Sequence, residues 1–204
     1  MAATDHDPDA FADELAALKR RGCALLVVGP AAGTSRCADL LGDDDRERDQ
    51  LVVDASHGPD DDRPFVRVDA ADVRSASSAA PPSAEPGPTD RDLDVIAAEL
   101  VERVDRLAAD GLAPGQLRAC FGDLAVLGSG RGEELAAFLA AVIERVREAS
   151  GMGHGHLPDT SPLRTEIEPL FDVTVEVRPV PGGRQQRWLL HEAGLDSGWI
   201  AVEG

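Results

Sequence analysis

A buried apolar run that leads directly into a glycine-containing loop is the feature that most restricts how this chain can fold. The run Cys23–Val28 is apolar throughout, and Gly29, Gly33, Thr34 and Ser35 follow it. A phosphate-binding loop needs a strand, a glycine loop and a helix in that order, because backbone N–H groups at the start of the helix hold the anion. The sequence therefore predicts an α/β sheet that contains this strand.

The loop departs from a working phosphate-binding loop in two ways. The pattern G-x-x-x-x-G-K-[ST] places four residues between the glycines and a lysine after the second glycine. Here three residues separate Gly29 from Gly33, and Thr34 stands where the lysine would be. Arg36 comes one or two residues late, and its guanidinium is bulkier and differently directed than an ammonium. The sequence argues against nucleotide hydrolysis, and we predict no catalytic residue.

Apolar periodicity predicts helices and strands that alternate early in the chain, followed by strands joined by tight turns. The predicted helices are about 10–21, 35–41, 91–109 and 135–146, and the predicted strands are about 24–28, 51–54, 65–68, 117–121, 152–157, 173–177, 186–190 and 199–202. This order predicts a three-layer α/β fold whose central sheet is mostly parallel, with antiparallel strands at its C-terminal edge. Strand 24–28 is expected to be central and adjacent to the strand that ends at Asp123.

Length and composition predict a single domain. The chain has 204 residues, of which 43% are hydrophobic, and this is enough for one sizeable core. Residues 1–9 are polar and are expected to be flexible, whereas 10–204 are predicted to form the domain. A stretch of small residues and prolines at about 75–90 is predicted to be a disordered loop within it.

The charge of the chain is strongly acidic. The net charge is −18, and 24 Asp and 14 Glu stand against one Lys and 19 Arg. A surface of this charge repels nucleic-acid phosphates and anionic membranes, so neither is expected as a partner. An Asp-rich, Lys-poor chain is typical of halophilic archaea, because the Debye length falls to about 3 Å in molar salt and the carboxylates no longer repel one another.

Features that would direct the chain out of the cytoplasm are not visible in the sequence. There is no basic segment followed by an apolar stretch, as in a signal peptide, and no apolar run long enough to span a membrane. Three widely spaced cysteines, Cys23, Cys37 and Cys120, form no C-x-x-C motif and are predicted to be structural thiols. A reducing cytoplasm is therefore the expected compartment.

Several motifs besides the glycine loop are distributed along nearly the whole chain. They are Leu25–Gly29, Gly115–Arg118, Phe121–Leu124, Gly151–Pro158, Pro169–Asp172, Gln186–Trp188 and Ser197–Trp199. With these motifs, nearly the whole chain resembles a RecA/KaiC-like P-loop domain with a degenerate Walker A loop. More narrowly, it resembles a haloarchaeal family of uncharacterised, HTR-like domains. The resemblance implies a RecA-like three-layer P-loop fold and no established activity.

The resemblance also implies where a nucleotide would bind. Carried over position by position, it places Gly29, Gly33, Thr34 and Ser35 in the Walker A loop. It places Asp123 where an acid would hold Mg²⁺ through water. Two interpretations stay open: the glycines form only a tight turn inherited from an ancestor, or the loop still binds an anion or a nucleotide weakly. No other cofactor is expected.

A His-x-His pair, His154 and His156, lies in a predicted strand, where residues i and i+2 share one face. Such a pair suits metal binding, and Asp159, Asp123 or His191 are candidates for the third ligand. None of these three is compelling from sequence alone. The leading interpretation is therefore that the histidines are packed side chains and that the chain has no metal site.

These observations predict a non-catalytic, P-loop-like module that regulates or binds another protein in a haloarchaeal cytoplasm. The first alternative is a weak nucleotide-binding ATPase with an atypical loop. The second is a small metal-dependent enzyme built around His154 and His156. The missing lysine separates the leading prediction from the first alternative, and the missing third ligand separates it from the second.

Overall fold

The computed structural model describes residues 8–30, 49–54, 66–69 and 92–202, with the backbone alone for the two short middle segments. In this part of the chain the helices are α1 Pro8–Arg21, α2 Leu93–Ala109, α3 Leu124–Leu127, α4 Gly132–Glu148 and α5 Arg164–Ile167, followed by a 3-10 turn Glu168–Leu170. The strands are β1 Cys23–Val28, β2 Asp49–Asp54, β3 Val66–Asp69, β4 Leu117–Asp123, β5 Met152–Leu157, β6 Val173–Val180, β7 Gly183–Leu190, β8 Leu195–Asp196 and β9 Ile200–Val202.

Some predictions fall on residues that the structure does not describe. They are the helix at 35–41, the loop at about 75–90 and most of the N-terminal segment 1–9. The exceptions in that segment are Pro8 and Asp9, which belong to α1, so the first helix begins two residues earlier than predicted.

The described strands form one sheet in the order β3-β2-β4-β5-β1-β6-β7-β8, and β9 pairs with β7. All pairs from β3 to β6 are parallel. The pairs that β7 makes with β6, β8 and β9 are antiparallel. The predicted α/β fold, with a mostly parallel sheet and antiparallel strands at its C-terminal edge, is confirmed.

Helices cover both faces of the sheet, because successive side chains of a strand point to opposite sides. On β1, Ala24, Leu26 and Val28 belong to the core that α2 and α4 cover. Leu25 and Val27 belong to a smaller core on the other face, beneath α1. These are the three layers that the sequence predicts.

The helix with the clearest apolar periodicity, α4, packs as its pattern predicts. Its inward residues repeat at helical spacing and are all buried; they are Leu135, Phe138, Leu139, Val142, Ile143 and Val146. Full burial of one such side chain contributes about 1.5–3 kcal/mol. None of the described helices is both long and apolar enough to cross a membrane.

The predicted contact between β1 and the strand that ends at Asp123 is wrong. The strand β1 is central, but β5 lies between it and β4. The glycines of β5 allow this close packing, since a Cβ at Gly153 would lie 2.9 Å from the Phe121 ring. A Cβ at Gly155 would lie 2.7 Å from Leu124 Cδ1. Bulky side chains of β4 and α3 thus fill the space that larger residues on β5 would need.

Candidate functional site

The candidate nucleotide site lies where β1, β4 and β5 end. Because these strands are parallel, their carboxyl ends meet at one edge of the sheet, which is where ligands bind in open α/β folds. Gly29 follows β1 at this edge, and its N–H donates to the Leu157 carbonyl at the end of β5, at 3.2 Å. Asp123 ends β4 on the same edge. Gly33, Thr34 and Ser35 lie outside the described residues.

Packing accounts for a glycine at position 29. A Cβ there would lie 2.9 Å from the Val177 carbonyl oxygen of the neighbouring strand β6 and 3.3 Å from the Val177 Cβ. A backbone oxygen cannot move aside as the end of a side chain can. Gly29 is therefore needed for the strand to enter the turn, whether or not a phosphate binds beyond it.

Asp123, the candidate Mg²⁺ residue, caps helix α3. Its backbone is extended, with φ −83° and ψ 103°, and the helix begins at the next residue. Its Oδ1 accepts hydrogen bonds from the N–H groups of Ala125 at 2.9 Å and of Val126 at 3.3 Å. This is the arrangement of an N-cap, which satisfies N–H groups that have no partner within the helix.

Both histidines of the His-x-His pair are buried in the sheet, and a cysteine of the next strand joins them. His154 on β5 is the register partner of Cys120 on β4. Each of the three residues, Cys120, His154 and His156, offers one potential ligand atom, and these atoms all lie within 4.8 Å of one another. The two imidazole rings meet edge to face, with centroids 5.2 Å apart. The three residues share one face, because residues 154 and 156 alternate with the glycines of β5.

The environment of His154 favours its neutral form. Burial lowers the pKa of His154 well below its usual value, and the neighbouring His156 and Arg118 act in the same direction. A neutral imidazole has a nitrogen lone pair available for a metal. Among the described residues, no group makes a hydrogen bond to His154 Nε2, although that atom is buried.

Sequence reasoning missed the third member of this cluster. It considered Asp159, Asp123 and His191, whereas the structure brings Cys120 to the pair. The Asp123 carboxylate is held at the start of α3, although its Cα is the register partner of His156. His191 belongs to a different network, in which its Nδ1 lies 2.8 Å from the Phe171 carbonyl oxygen. The only sequence signal for Cys120 was its place in a buried strand.

The cysteines differ in state. Cys23 is free and buried at the start of β1, as predicted. Burial raises the pKa of its thiol to about 11, and the nearby Asp172 carboxylate adds to the effect. Cys120 is disulfide-bonded, so the prediction of a free thiol is wrong for this residue.

A cleft at the opposite edge of the sheet has a different character. It encloses about 500 Å³ between the end of α4 and the start of β6. Asp172 organises one wall, where its Oδ2 accepts from the Ala24 N–H at 2.7 Å and from Arg147 Nε at 3.0 Å. The cleft lies at the amino ends of the parallel strands, away from the edge where α/β folds bind ligands.

A chain of ion pairs stabilises the parts of the fold next to β6. Arg164 contacts Glu168 at 3.1 Å and Glu176 at 2.8 Å. Thr174 donates to Glu168 Oε1 at 2.8 Å. Burial by itself would raise the pKa of Glu168, but the hydrogen bonds from Arg164 and Thr174 outweigh it and hold that pKa below its usual value.

Comparison with known proteins places the chain in a family. A family model described as a family of unknown function, DUF7504, matches residues 22–177, and the chain belongs to this family. No curated protein shows significant similarity to the sequence. Among solved structures, the chain is similar to a KaiC-like protein from the hyperthermophilic archaeon Pyrococcus horikoshii OT3. The identity is 10% and the TM-score 0.49, over 89% of this chain and 82% of that chain.

Proposed function

We propose that this member of the DUF7504 family is a non-catalytic, P-loop-like module that regulates or binds a protein partner. The observation that carries the proposal is the role of Asp123. The carboxylate that a nucleotide hydrolase would direct toward Mg²⁺ is instead hydrogen-bonded to two backbone N–H groups of α3. Its presence at the end of β4 is therefore explained by local structure.

The chemistry of phosphoryl transfer supports the same conclusion. Catalysis depends on cations placed against the charge that develops on the transferred group. The sequence has no lysine in the glycine loop, since its single lysine is Lys19. Losing one preorganised donor from a catalytic site costs about 100- to 1,000-fold in rate. A chain that lacks this lysine and uses Asp123 as a cap is expected to have no measurable turnover.

Weak binding of an anion is compatible with this proposal. A helix that starts after a glycine loop presents backbone N–H groups to an anion without any lysine. Gly33, Thr34 and Ser35 are the residues that would supply these groups. Since Gly29 is required by its contact with Val177, its presence adds no support for nucleotide binding.

A role in protein interaction is supported by the antiparallel edge of the sheet. Trp199 and Ile200 lie at β9 and are 36% and 46% exposed. The Arg178 guanidinium covers the Trp199 ring, with its Cζ 3.9 Å from the ring centroid. Exposed large apolar side chains on a chain with a net charge of −18 suit a protein partner better than a nucleic acid or an anionic membrane. We place this module in a haloarchaeal cytoplasm, where molar salt would screen the net charge of −18.

A nucleotide-binding titration in molar KCl, with and without Mg²⁺, tests the proposal. If Asp123 does not help to bind Mg²⁺, adding the ion should change the nucleotide affinity of the wild-type chain by less than about threefold. The matched variant Asp123→Asn keeps a capping oxygen and removes the charge, so it should behave like the wild type. Mg²⁺-strengthened binding that Asp123→Asn abolishes would contradict the proposal and support the atypical ATPase, with Arg36 as the substitute cation.

A further inference from the structure

Three side chains with metal-binding atoms meet on one face of the central sheet. Cys120 lies on β4, and His154 and His156 lie on the neighbouring β5. Strand pairing, rather than a flexible loop, fixes their positions, because Cys120 and His154 are register partners. Their potential ligand atoms lie within 4.8 Å of one another, and all three residues are buried.

One atom of this cluster is a polar group in need of a partner. His154 is 3% exposed, and none of the described residues makes a hydrogen bond to its Nε2. Burying a polar atom without a partner costs about 1–3 kcal/mol, so such atoms are uncommon in folded proteins. A ligand that accepts an electron pair from this nitrogen would satisfy it.

A thiolate and two imidazoles form a donor set for a borderline-soft divalent metal. Zn²⁺ takes sulfur at about 2.3 Å and nitrogen at about 2.0–2.1 Å in tetrahedral sites, which separates the ligand atoms by about 3.3–3.6 Å. The potential ligand atoms already lie within 4.8 Å of one another, so side-chain movements of about an ångström would bring them to this spacing. Aspartate and glutamate, the preferred ligands of Mg²⁺ and Ca²⁺, are not among the three.

We propose that the reduced chain binds one Zn²⁺ ion through the Cys120 thiolate and one ring nitrogen each of His154 and His156. Because Cys120 lies on β4 and the two histidines lie on β5, the ion would cross-link these strands and stabilise the sheet. This site differs from the candidate nucleotide site in residues and chemistry. Failure of the metal site would therefore leave the proposed function unaffected, and the reverse also holds.

The state of Cys120 makes this site dependent on reduction. Cys120 is disulfide-bonded, and a disulfide sulfur cannot act as a thiolate ligand. A dithiol reductant transfers two electrons and two protons to the disulfide, which yields two protein thiols and converts the reductant to a cyclic disulfide. The Cys120 thiol then loses one proton as its sulfur binds Zn²⁺. The oxidised chain should bind the metal poorly and the reduced chain tightly.

Titration of the full chain with Co²⁺ tests the proposal, because a cobalt–thiolate bond gives a charge-transfer absorption in the near ultraviolet. The protein is reduced with dithiothreitol, freed of metal and reductant without air, and titrated in molar KCl. We expect the absorption to saturate at one Co²⁺ per chain and to disappear when Zn²⁺ is added. The oxidised chain should show no such absorption.

Variants identify the sulfur and the nitrogen. Cys120→Ser should abolish the absorption, whereas the control Cys23→Ala, which removes the other described cysteine, should leave it unchanged. His154→Gln should weaken Co²⁺ binding by more than about 100-fold, since loss of residues that merely orient ligands already costs 10- to 100-fold. Circular dichroism checks that each variant is folded.

A further variant keeps the test decisive if the buried substitutions prevent folding. The sequence has three cysteines, and Cys23 is free. Cys37→Ser therefore leaves Cys120 without another cysteine to pair with in the chain, and this variant should bind Co²⁺ without any reductant. The proposal is overturned if the reduced wild type shows no cobalt–thiolate absorption, if Cys120→Ser retains it, if Cys23→Ala loses it, or if Cys37→Ser binds no cobalt.

Discussion

The role of Asp123 as a helix cap can be tested by comparing Asp123→Ala with Asp123→Asn. Alanine removes both hydrogen bonds to the start of α3, which measure 2.9 and 3.3 Å in the structure. Loss of an N-cap typically costs about 0.5–2 kcal/mol in the free energy of unfolding. For a domain of this size, 1 kcal/mol corresponds to about 2–4 °C, so we expect the melting temperature to fall by roughly 1–8 °C.

Asparagine should behave differently, because its side-chain oxygen can accept the same hydrogen bonds. Asp and Asn are about equally good N-caps. The substitution removes only the attraction between the carboxylate and the start of the helix, about 0.3–1 kcal/mol at low salt. In molar KCl that attraction is largely screened.

Thermal unfolding of the wild type and both variants in molar KCl provides the measurement. The expected order of melting temperature is wild type, then Asn close behind, then Ala clearly lower. If Asn destabilises as much as Ala, the negative charge matters more than the capping oxygen, which contradicts a role as a cap. If Ala has no effect, the two hydrogen bonds contribute nothing to stability, which also contradicts that role.

Three further predictions concern packing, protonation and salt. Gly29→Ala should destabilise the fold by about 1–3 kcal/mol through its contact with Val177, whereas Gly183→Ala, whose Cβ would lie 3.8 Å from the nearest atom, should be nearly neutral in urea unfolding. Glu168 has a lowered pKa in the folded state, so its contribution to stability is present above its usual pKa and is lost as the pH falls through the lowered value. The difference in unfolding free energy between the wild type and Glu168→Gln should therefore shrink in acid. A difference that stays constant with pH would refute this. The melting temperature should fall on dilution from molar to millimolar KCl, because the charge of −18 is then unscreened, and a flat or rising value would contradict the halophilic interpretation.

Local sequence patterns predicted most of the described secondary structure. The period of apolar residues in α4 placed its buried face correctly, and the apolar runs of β1 and β4 marked buried strands. The cap at Asp123 also had a local signal, since aspartate directly before an apolar helical turn is a typical N-cap. The candidate role of this residue at Mg²⁺, by contrast, came from the resemblance to P-loop domains.

Strand order and register were the parts that sequence could not supply. The insertion of β5 between β1 and β4 depends on Gly153 and Gly155 fitting beside bulky neighbours, which is a property of packing. The pairing of Cys120 with His154 joins residues 34 positions apart through one particular register of parallel strands. A shift of one residue would send the cysteine to the opposite face. Local sequence patterns therefore cannot identify Cys120 as the third member of the cluster with His154 and His156.

The central claim, that this chain does not hydrolyse nucleotides, is tested most directly by measuring ATP hydrolysis in molar KCl with Mg²⁺. The full wild-type chain and Asp123→Asn should both release phosphate at the background rate. Under the proposed function, a loop without lysine and a carboxylate used as a cap would not supply the charge stabilisation that the reaction needs. Mg²⁺-dependent hydrolysis by the wild type that disappears in Asp123→Asn would contradict the account.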